Sequence, residues 1–333
     1  MKKVRFSVII PAYNAESTLA PCLEVLDSQS MAREDYEVIV VDDGSTDGTS
    51  RIAKRFNINF IFQKNQGPAV ARNRGANAAV GDIILFTDSD CVSDHNWIQE
   101  MVRPFNNPDI IGVKGAYKTR QTSLAARFAQ AEFEDRYDLL QKYHYIDMID
   151  TYSAAFQKDV FLKIGGFDEG FPVANNEDTD LSYRLVASGH KLIFNPRAFV
   201  YHTHPDTLIK YLTVKFWRGY WRMVVYRRYP DKAVKDTYTP KVVKIQTLLT
   251  AFSLPLLCLS WLATTFFYLT GLCWSIVIIS SFPFSIKTFR KNKKVGLISP
   301  AVILLRSLVF AIGGLLGVAS CLGKKAKSIA QIY

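Results

Sequence analysis

Over its first two hundred residues the chain alternates short apolar runs with polar, helix-compatible stretches, and then it changes character. Residues 6–11 (Phe-Ser-Val-Ile-Ile-Pro), 37–43 (Glu-Val-Ile-Val-Val-Asp-Asp) and 83–90 (Ile-Ile-Leu-Phe-Thr-Asp-Ser-Asp) each read as a buried strand that ends in polar residues. Apolar runs of this length, separated by helical segments, predict parallel strands in βαβ units. All three strands then deliver their polar ends to one edge of one sheet, where open α/β sheets bind ligands. Those ends are Ala12-Tyr13-Asn14, Asp42-Asp43 and Asp88-Ser89-Asp90. A shorter strand is predicted over Ala198–Tyr201, and a helix over Leu181–Ser188 with Gly189 ending it at C′.

Beyond residue 205 the pattern differs. Residues 208–228 mix aromatics with Lys and Arg at helical spacing, a composition suited to the headgroup layer of a membrane. Ser123–Tyr145 is a second amphipathic stretch, rich in Phe, Tyr and Ala. Ile245–Ile286 holds no charged residue, and Val295–Gly323 holds only Arg306. The first of these exceeds the ~20 residues needed to cross a bilayer and predicts two helices with a tight turn near Thr270-Gly271.

Charge follows the same division. Residues 1–205 carry 22 basic and 27 acidic side chains, residues 206–244 carry 10 and 3, and residues 245–333 carry 9 and none. The formal net charge of +11 is therefore made outside the first 205 residues. Because the basic residues flank apolar segments, they suit an anionic membrane surface, at ~1 kcal/mol per nearby Lys or Arg, and no nucleic-acid partner is expected. The basic start, Met1-Lys2-Lys3, is followed by an apolar run that is short and holds Pro11 and Tyr13, unlike a secretory signal. Cys22, Cys91, Cys258, Cys273 and Cys321 show no paired spacing and read as reduced packing residues.

Two carboxylates at i, i+2 on a strand end, Asp88 and Asp90, suit a divalent cation that bridges substrate phosphates. Further motifs join them: Val8-Ile-Ile-Pro-Ala-Tyr-Asn14, Val41-Asp-Asp-Gly-Ser-Thr-Asp47, Asn65-Gln-Gly-Pro-Ala-Val-Ala-Arg-Asn73, Gly165-Gly-Phe-Asp-Glu169 and Asn176-Glu-Asp-Thr-Asp-Leu-Ser-Tyr-Arg184. Together, over about residues 4–205, the chain resembles family-2 glycosyltransferases of the GT-A fold.

The resemblance implies an α/β GT-A domain, Rossmann-like with a mostly parallel sheet, in which residues 1–115 form the nucleotide-sugar-binding half and 116–205 the acceptor-binding half. Residues 206–244 would then be a basic interfacial collar and 245–333 a membrane anchor of two to three apolar helices. It implies a UDP- or GDP-sugar donor held by Pro11, Tyr13, Asn14, Asp43, Gly44, Ser45, Arg72 and Asp88, with Tyr13 flat against the base and Asp43 accepting from its imide N–H. Arg74 is the neighbouring candidate to Arg72, and Asp42 reads equally as a cap. Asp88, Asp90 and His202 would hold Mg²⁺ or Mn²⁺, with His204 the second choice for the histidine. Asp178 matches the general base, Glu177 would orient the acceptor, and Asp180 reads as structural. Thr151-Tyr-Ser-Ala-Ala155 departs from the small, Gly-rich segment many relatives have there.

These readings imply an inverting, metal-dependent enzyme that passes a sugar to a membrane lipid-linked acceptor from the cytosolic side. A polyprenyl-phosphate sugar synthase is the neighbouring enzymatic reading, and a catalytically silent nucleotide-binding membrane protein is the reading from another class. For the anchor, the basic cluster Lys287–Lys294 predicts a two-crossing hairpin that returns to the cytosol. Leu297–Leu322 would follow as a re-entrant or interfacial helix, because a third crossing puts Lys324, Lys325 and Lys327 outside and Arg306 within the bilayer, and because the segment holds Pro300 and the weakly packing Gly313, Gly314 and Gly317.

Overall fold

The computed structural model describes residues 4–171 and 176–322. Met1–Lys3, Val173–Asn175, Lys324, Lys325, Lys327 and the Cys321 side chain lie outside the described residues. The chain forms two compact units, one from residues up to Arg120 with Leu140–Thr203, the other from Gln121–Leu139 with His204 onward.

The first unit is built on an eight-stranded mixed sheet flanked by helices. Strands β1 (Phe6–Ala12), β2 (Tyr36–Asp42), β3 (Asn59–Phe62), β4 (Ile83–Phe86), β5 (Val92–Ser93), β6 (Ile110–Lys118), β7 (Ala154–Gln157) and β8 (Lys191–Tyr201) lie in the order β3-β2-β1-β4-β7-β6-β8-β5. β3, β2, β1 and β4 run parallel, as the near-continuous apolar runs of β1, β2 and β4 predict, and Val8, Ile9, Ile10, Val40 and Val41 are fully buried. β7 and β5 are antiparallel to their neighbours. Phe86, Phe156, Phe161 and Phe167 close the core beside β4 with ring centroids 5.3–6.2 Å apart. Two helices of this unit position the site, α3 (Pro68–Ala78), preceded in the chain by α1 (Leu19–Asp27) and α2 (Thr49–Ala53), and α7 (Glu177–Ala187), preceded by α4 (Trp97–Val102), by α5 (Leu124–Leu140) of the second unit, and by α6 (Lys158–Lys163).

Three boundaries differ from expectation. The strand read over 83–90 stops at Phe86, and the amide of Cys91 turns back to the Asp88 carbonyl at 3.0 Å, so both acids lie on a turn. β8 starts at Lys191 and contains the predicted Ala198–Tyr201. α7 starts at Glu177, four residues early, because Asn176 breaks the chain at φ 68° and acids are favoured in a first turn. Its end is as read, with Gly189 at φ +82°.

The second unit is helical: α5, α8 (Leu208–Arg228), α9 (Lys241–Leu259), α10 (Thr264–Lys291) and α11 (Lys293–Leu322). α9, α10 and α11 are long and apolar enough to cross a membrane. The turn between α9 and α10 falls at residues 260–263, and Gly271 lies inside α10, unlike the predicted turn at Thr270-Gly271. The cause is that the helices run past the charge-free segment, back to Lys241 and on to Lys291, which moves the midpoint of the hairpin. α11 is one uninterrupted helix despite Pro300, so no re-entrant break occurs in it. Gly313 and Gly317, read from sequence as weak packing, are where α8 comes closest: a Cβ on either would strike the Phe216 or Tyr220 carbonyl. Arg306 is buried, its guanidinium 2.6 Å from Glu132 of α5 and 2.6 Å from Gln246 of α9. Lys215 of α8 reaches the same glutamate at 2.7 Å, and the Tyr211 hydroxyl donates to it at 2.7 Å.

Candidate active site

The polar ends of β1, β2 and β4 form a hydrogen-bonded rim. Asn14 sits at φ 48°; its amide donates to Ser45 Oγ at 2.9 Å, and its side-chain oxygen accepts from the Thr46 amide at 2.9 Å. Gly44 needs its φ of +80°, and a Cβ there would lie 2.7 Å from the Asn65 amide nitrogen. Asp42 caps the turn by accepting from the Ser45 amide at 2.8 Å and from the Ser50 hydroxyl. Asp43 is buried and accepts from Gln63 Nε2 (2.7 Å) and from the amides of Gln66 (2.9 Å) and Gly67 (2.8 Å). It therefore pins the loop that opens α3, where Gly67 at φ 94° and Pro68 at N1 start the helix. Pro11 is partly covered, and Tyr13 is 53% exposed, an open aromatic face beside this rim.

α3 aims Arg72 at the centre of the site. Its Nη2 donates to Asp88 Oδ1 at 2.8 Å and its Nη1 to Glu177 Oε1 at 2.9 Å, with the Phe167 ring 5.8 Å from the guanidinium. Burial works against the Arg72 charge, and the carboxylates of Asp88 and Glu177 outweigh it. One guanidinium thus joins the acid pair after β4 to the first residue of α7. Arg74, the neighbouring candidate, takes no part in this bridge. Asp178, next along α7, is part-exposed, and its Oδ1 accepts from the Thr179 amide at 2.7 Å. Asp180 is buried and holds Arg184 at 2.9 Å, which donates in turn to the carbonyls of Ile164 (2.7 Å) and Gly166 (2.6 Å).

Asp90 lies apart from that bridge, with Oδ2 3.4 Å from His202 Nε2. Burial pushes its carboxyl up, but the His202 hydrogen bond and charge hold it below the usual carboxylate range. Asp90, Cys91 and His202 bring one ligand atom each within 4.8 Å of one another. Burial and the nearby acids push the Cys91 thiol well up, which disfavours the thiolate form that binds metal. A carboxylate and an imidazole remain, a donor pair that fits Mg²⁺ or Mn²⁺. Asp88 has one oxygen committed to Arg72. His204 belongs to the helical unit, where Nε2 lies 3.0 Å from Gln130 Oε1 and the ring stacks on Phe133.

A family model for glycosyl transferase family 2 matches residues 7–165. Residues 7–165 belong to that family. The chain is 28% identical over 200 residues to glycosyltransferase AglE of Haloferax volcanii, covering 56% of this chain and 63% of AglE. It is 25% identical over 251 residues to the glucosyl-dolichyl phosphate glucuronosyltransferase of the same organism, covering 68% and 79%. The chain spans 48–63% of the length of the first curated relatives it matches. Among solved structures it resembles the mannosyltransferase PcManGT from Pyrobaculum calidifontis in complex with GDP-Man and Mn²⁺, with a TM-score of 0.60 at 20% identity, covering 96% of this chain and 88% of that one. At that identity the likeness is one of fold.

Two features of the family-2 domain were missed by sequence reasoning. Asn73 clamps the Gly165-Gly-Phe-Asp-Glu169 motif by exchanging hydrogen bonds of 2.9 Å with Phe167 and donating to Glu169 at 3.0 Å. Its signal was the polar Arg-Asn-Arg run in an otherwise alanine-rich helix. His202 is oriented by an aromatic column: Tyr117 stacks on it at 4.5 Å, and Tyr152 stacks on Tyr117 at 3.1 Å. The Tyr152 hydroxyl accepts from buried Lys114 at 2.9 Å, and Lys114 also pairs with Asp150. Tyr152 belongs to the segment that departs from the family's Gly-rich pattern, the one available sign of it.

Proposed function

We propose that the chain is an inverting glycosyltransferase that moves one sugar from a UDP- or GDP-sugar to a lipid-linked acceptor, with its family-2 domain on the cytosolic side of a membrane. The observation that carries this reading is the Arg72 bridge, which ties Asp88, on the expected donor side, to Glu177, beside the expected base. In this reading Asp178 takes the proton of the acceptor hydroxyl as that oxygen attacks the anomeric carbon. The nucleoside diphosphate leaves from the opposite face, which inverts the configuration. Glu177, held by Arg72, orients the acceptor, and Tyr13 offers its exposed ring to the nucleobase. Asp43 keeps its loop in place and uses its remaining acceptor capacity toward the base. Asp90 and His202, with Asp88, would hold a divalent cation, which offsets the charge growing on the departing diphosphate.

Two relatives support the partners in this reading. One is named for a dolichyl-phosphate-linked glucose acceptor, and the other was solved with GDP-Man and Mn²⁺. Orientation rests on Lys241 and Lys244 at the start of α9 and on the basic residues from Lys287 to Lys294, at the end of α10 and the start of α11, which favour the cytosolic side.

The test is release of nucleoside diphosphate across a panel of nucleotide sugars, with and without Mn²⁺. Asp178→Asn should leave donor binding intact and cut turnover by ~10²–10⁴-fold, the value of a positioned base. Unchanged turnover would move the role elsewhere, with Glu177 tested next. Product mass distinguishes this reading from a polyprenyl-phosphate sugar synthase. For the anchor, a reporter fused after Tyr333 is expected to be active on the cytosolic side, α11 lying along the interface beside α8. Activity only on the far side would establish three crossings.

A further inference from the structure

The helical unit encloses a cavity of about 560 Å³, within the ~300–1,000 Å³ range of small-molecule sites. Its wall is chemically divided. The first turns of α9, the last turns of α10 and the middle of α11 line it mostly with apolar surface, including Val242, Leu248, Pro283, Phe284 and Phe310, into which they also bring Lys244, Lys287 and Arg306. α8 and α5 line it with charge. Seven basic side chains and two carboxylates face it. Both carboxylates are engaged, Glu132 with Lys215 and Arg306, and Asp135 with Lys287.

The excess cation is concentrated on one helix face. Lys215, Arg218 and Arg222 recur at i, i+3 and i+7 along α8, and Arg136 of α5 faces the same space. Arg218 is half-buried and has no hydrogen bond or ion pair among the described residues. Burial lowers the Lys215 pKa, Glu132 opposes that shift, and Arg218 and Arg136 add to it.

The setting identifies the ligand class. Lys244 and Lys287 stand where α9 begins and α10 ends, so the cavity lies at the basic end of the helical hairpin. That end belongs at headgroup level by the positive-inside rule. Guanidinium groups match phosphate oxygens in bidentate geometry, and basic pockets between membrane helices on the cytosolic side are suited to anionic lipid heads. A free anion would leave the apolar wall of α9 and α10 in water, whereas a lipid covers it with its chain.

We infer that this cavity is a binding site for the phosphate head of a membrane lipid, with Arg218 and Arg222 as its phosphate ligands and one hydrocarbon chain along α9 and α10. The site is read by binding and not by turnover, so its failure is distinguishable from failure of the sugar-transfer reading.

The experiment uses the full chain in neutral phosphatidylcholine nanodiscs, titrated with phosphatidic acid as the probe, with binding read by retained lipid and by the rise in Tm. We expect saturable retention of phosphatidic acid and at least tenfold weaker retention in the Arg218→Gln/Arg222→Gln double variant. Lys291→Gln, a basic residue at the same end that does not line the cavity, should behave like the parent. Val243→Trp, which narrows the apolar wall and leaves the cations in place, should also lose retention. Equal retention by the parent and the double variant would overturn the inference, as would equal retention of phosphatidylcholine. Inorganic phosphate is the remaining arm: if it raises Tm at concentrations matching the lipid, the site takes free phosphate and the lipid assignment fails.

Discussion

In the sheet-bearing unit Arg72 stands 3% exposed between a carboxylate from a strand end and one from a helix start; in the helical unit Arg306 stands 7% exposed beside a carboxylate from α5 and a lysine from α8. The two arrangements are alike in burial and differ in what lies next to them. Asp88 has a quarter of its side chain exposed, and Asp178 and Asp90 nearby are also reachable from solvent. Glu132 is closed off and fully engaged by Lys215, Arg306 and Tyr211. A buried cation at a sheet's open edge holds reactive groups at a fixed spacing. A buried ion cluster among helices joins segments that are distant in sequence, here residues 132, 215, 246 and 306.

If that contrast is right, removing charge in the helical unit should unfold it, and removing charge at the sheet edge should disable it. Glu132→Ala leaves Lys215 and Arg306 buried without their counter-ion, a change that typically destabilises by ~3–5 kcal/mol. It should lower the Tm of the full chain in detergent by several degrees. A Tm within a degree of the parent would show that the cluster is not structural.

Asp90→Asn is the opposite case. Its carboxylate is part-exposed, so the Tm should hardly move. Mn²⁺-dependent donor binding should weaken by more than the ~10–100-fold that follows loss of an outer partner of a metal ligand. Titration calorimetry with Mn²⁺ and donor checks this, and unchanged affinity would remove Asp90 from the ligand set.

The same contrast explains what could be read in advance. β1, β2 and the start of β4 were legible because a parallel strand buried on both faces is apolar throughout, as in Val38–Val41. Asp88 and Asp90 were legible because their spacing is local. The partners of Arg72 were not, since Glu177 is 105 residues away and no periodicity links them. The start of α7 was missed because Glu177, Asp178 and Asp180 are polar and carry no apolar period, although acids belong in a first turn. In the helical unit a lone Arg306 looked like a burden on a membrane helix, because nothing local announces Glu132 as its counter-ion. The glycines of α11 looked weak because their partner, the α8 backbone, is about a hundred residues upstream.

The smallest expected effect sharpens the account of the sheet edge itself. The Tyr117 ring lies between Tyr152 and His202. Stacked aromatic pairs contribute about 0.5–1.5 kcal/mol beyond their buried area. Tyr117→Leu keeps an apolar side chain and removes the stack, so His202 should lose orientation toward Asp90 and Mn²⁺ affinity should fall by a few-fold, up to ~10-fold. Tyr117→Phe keeps the ring and should restore the affinity. A structural role alone would lower Tm in the leucine variant and leave the Mn²⁺ titration unchanged. Failure of the phenylalanine variant to recover would instead assign the effect to the Tyr117 hydroxyl.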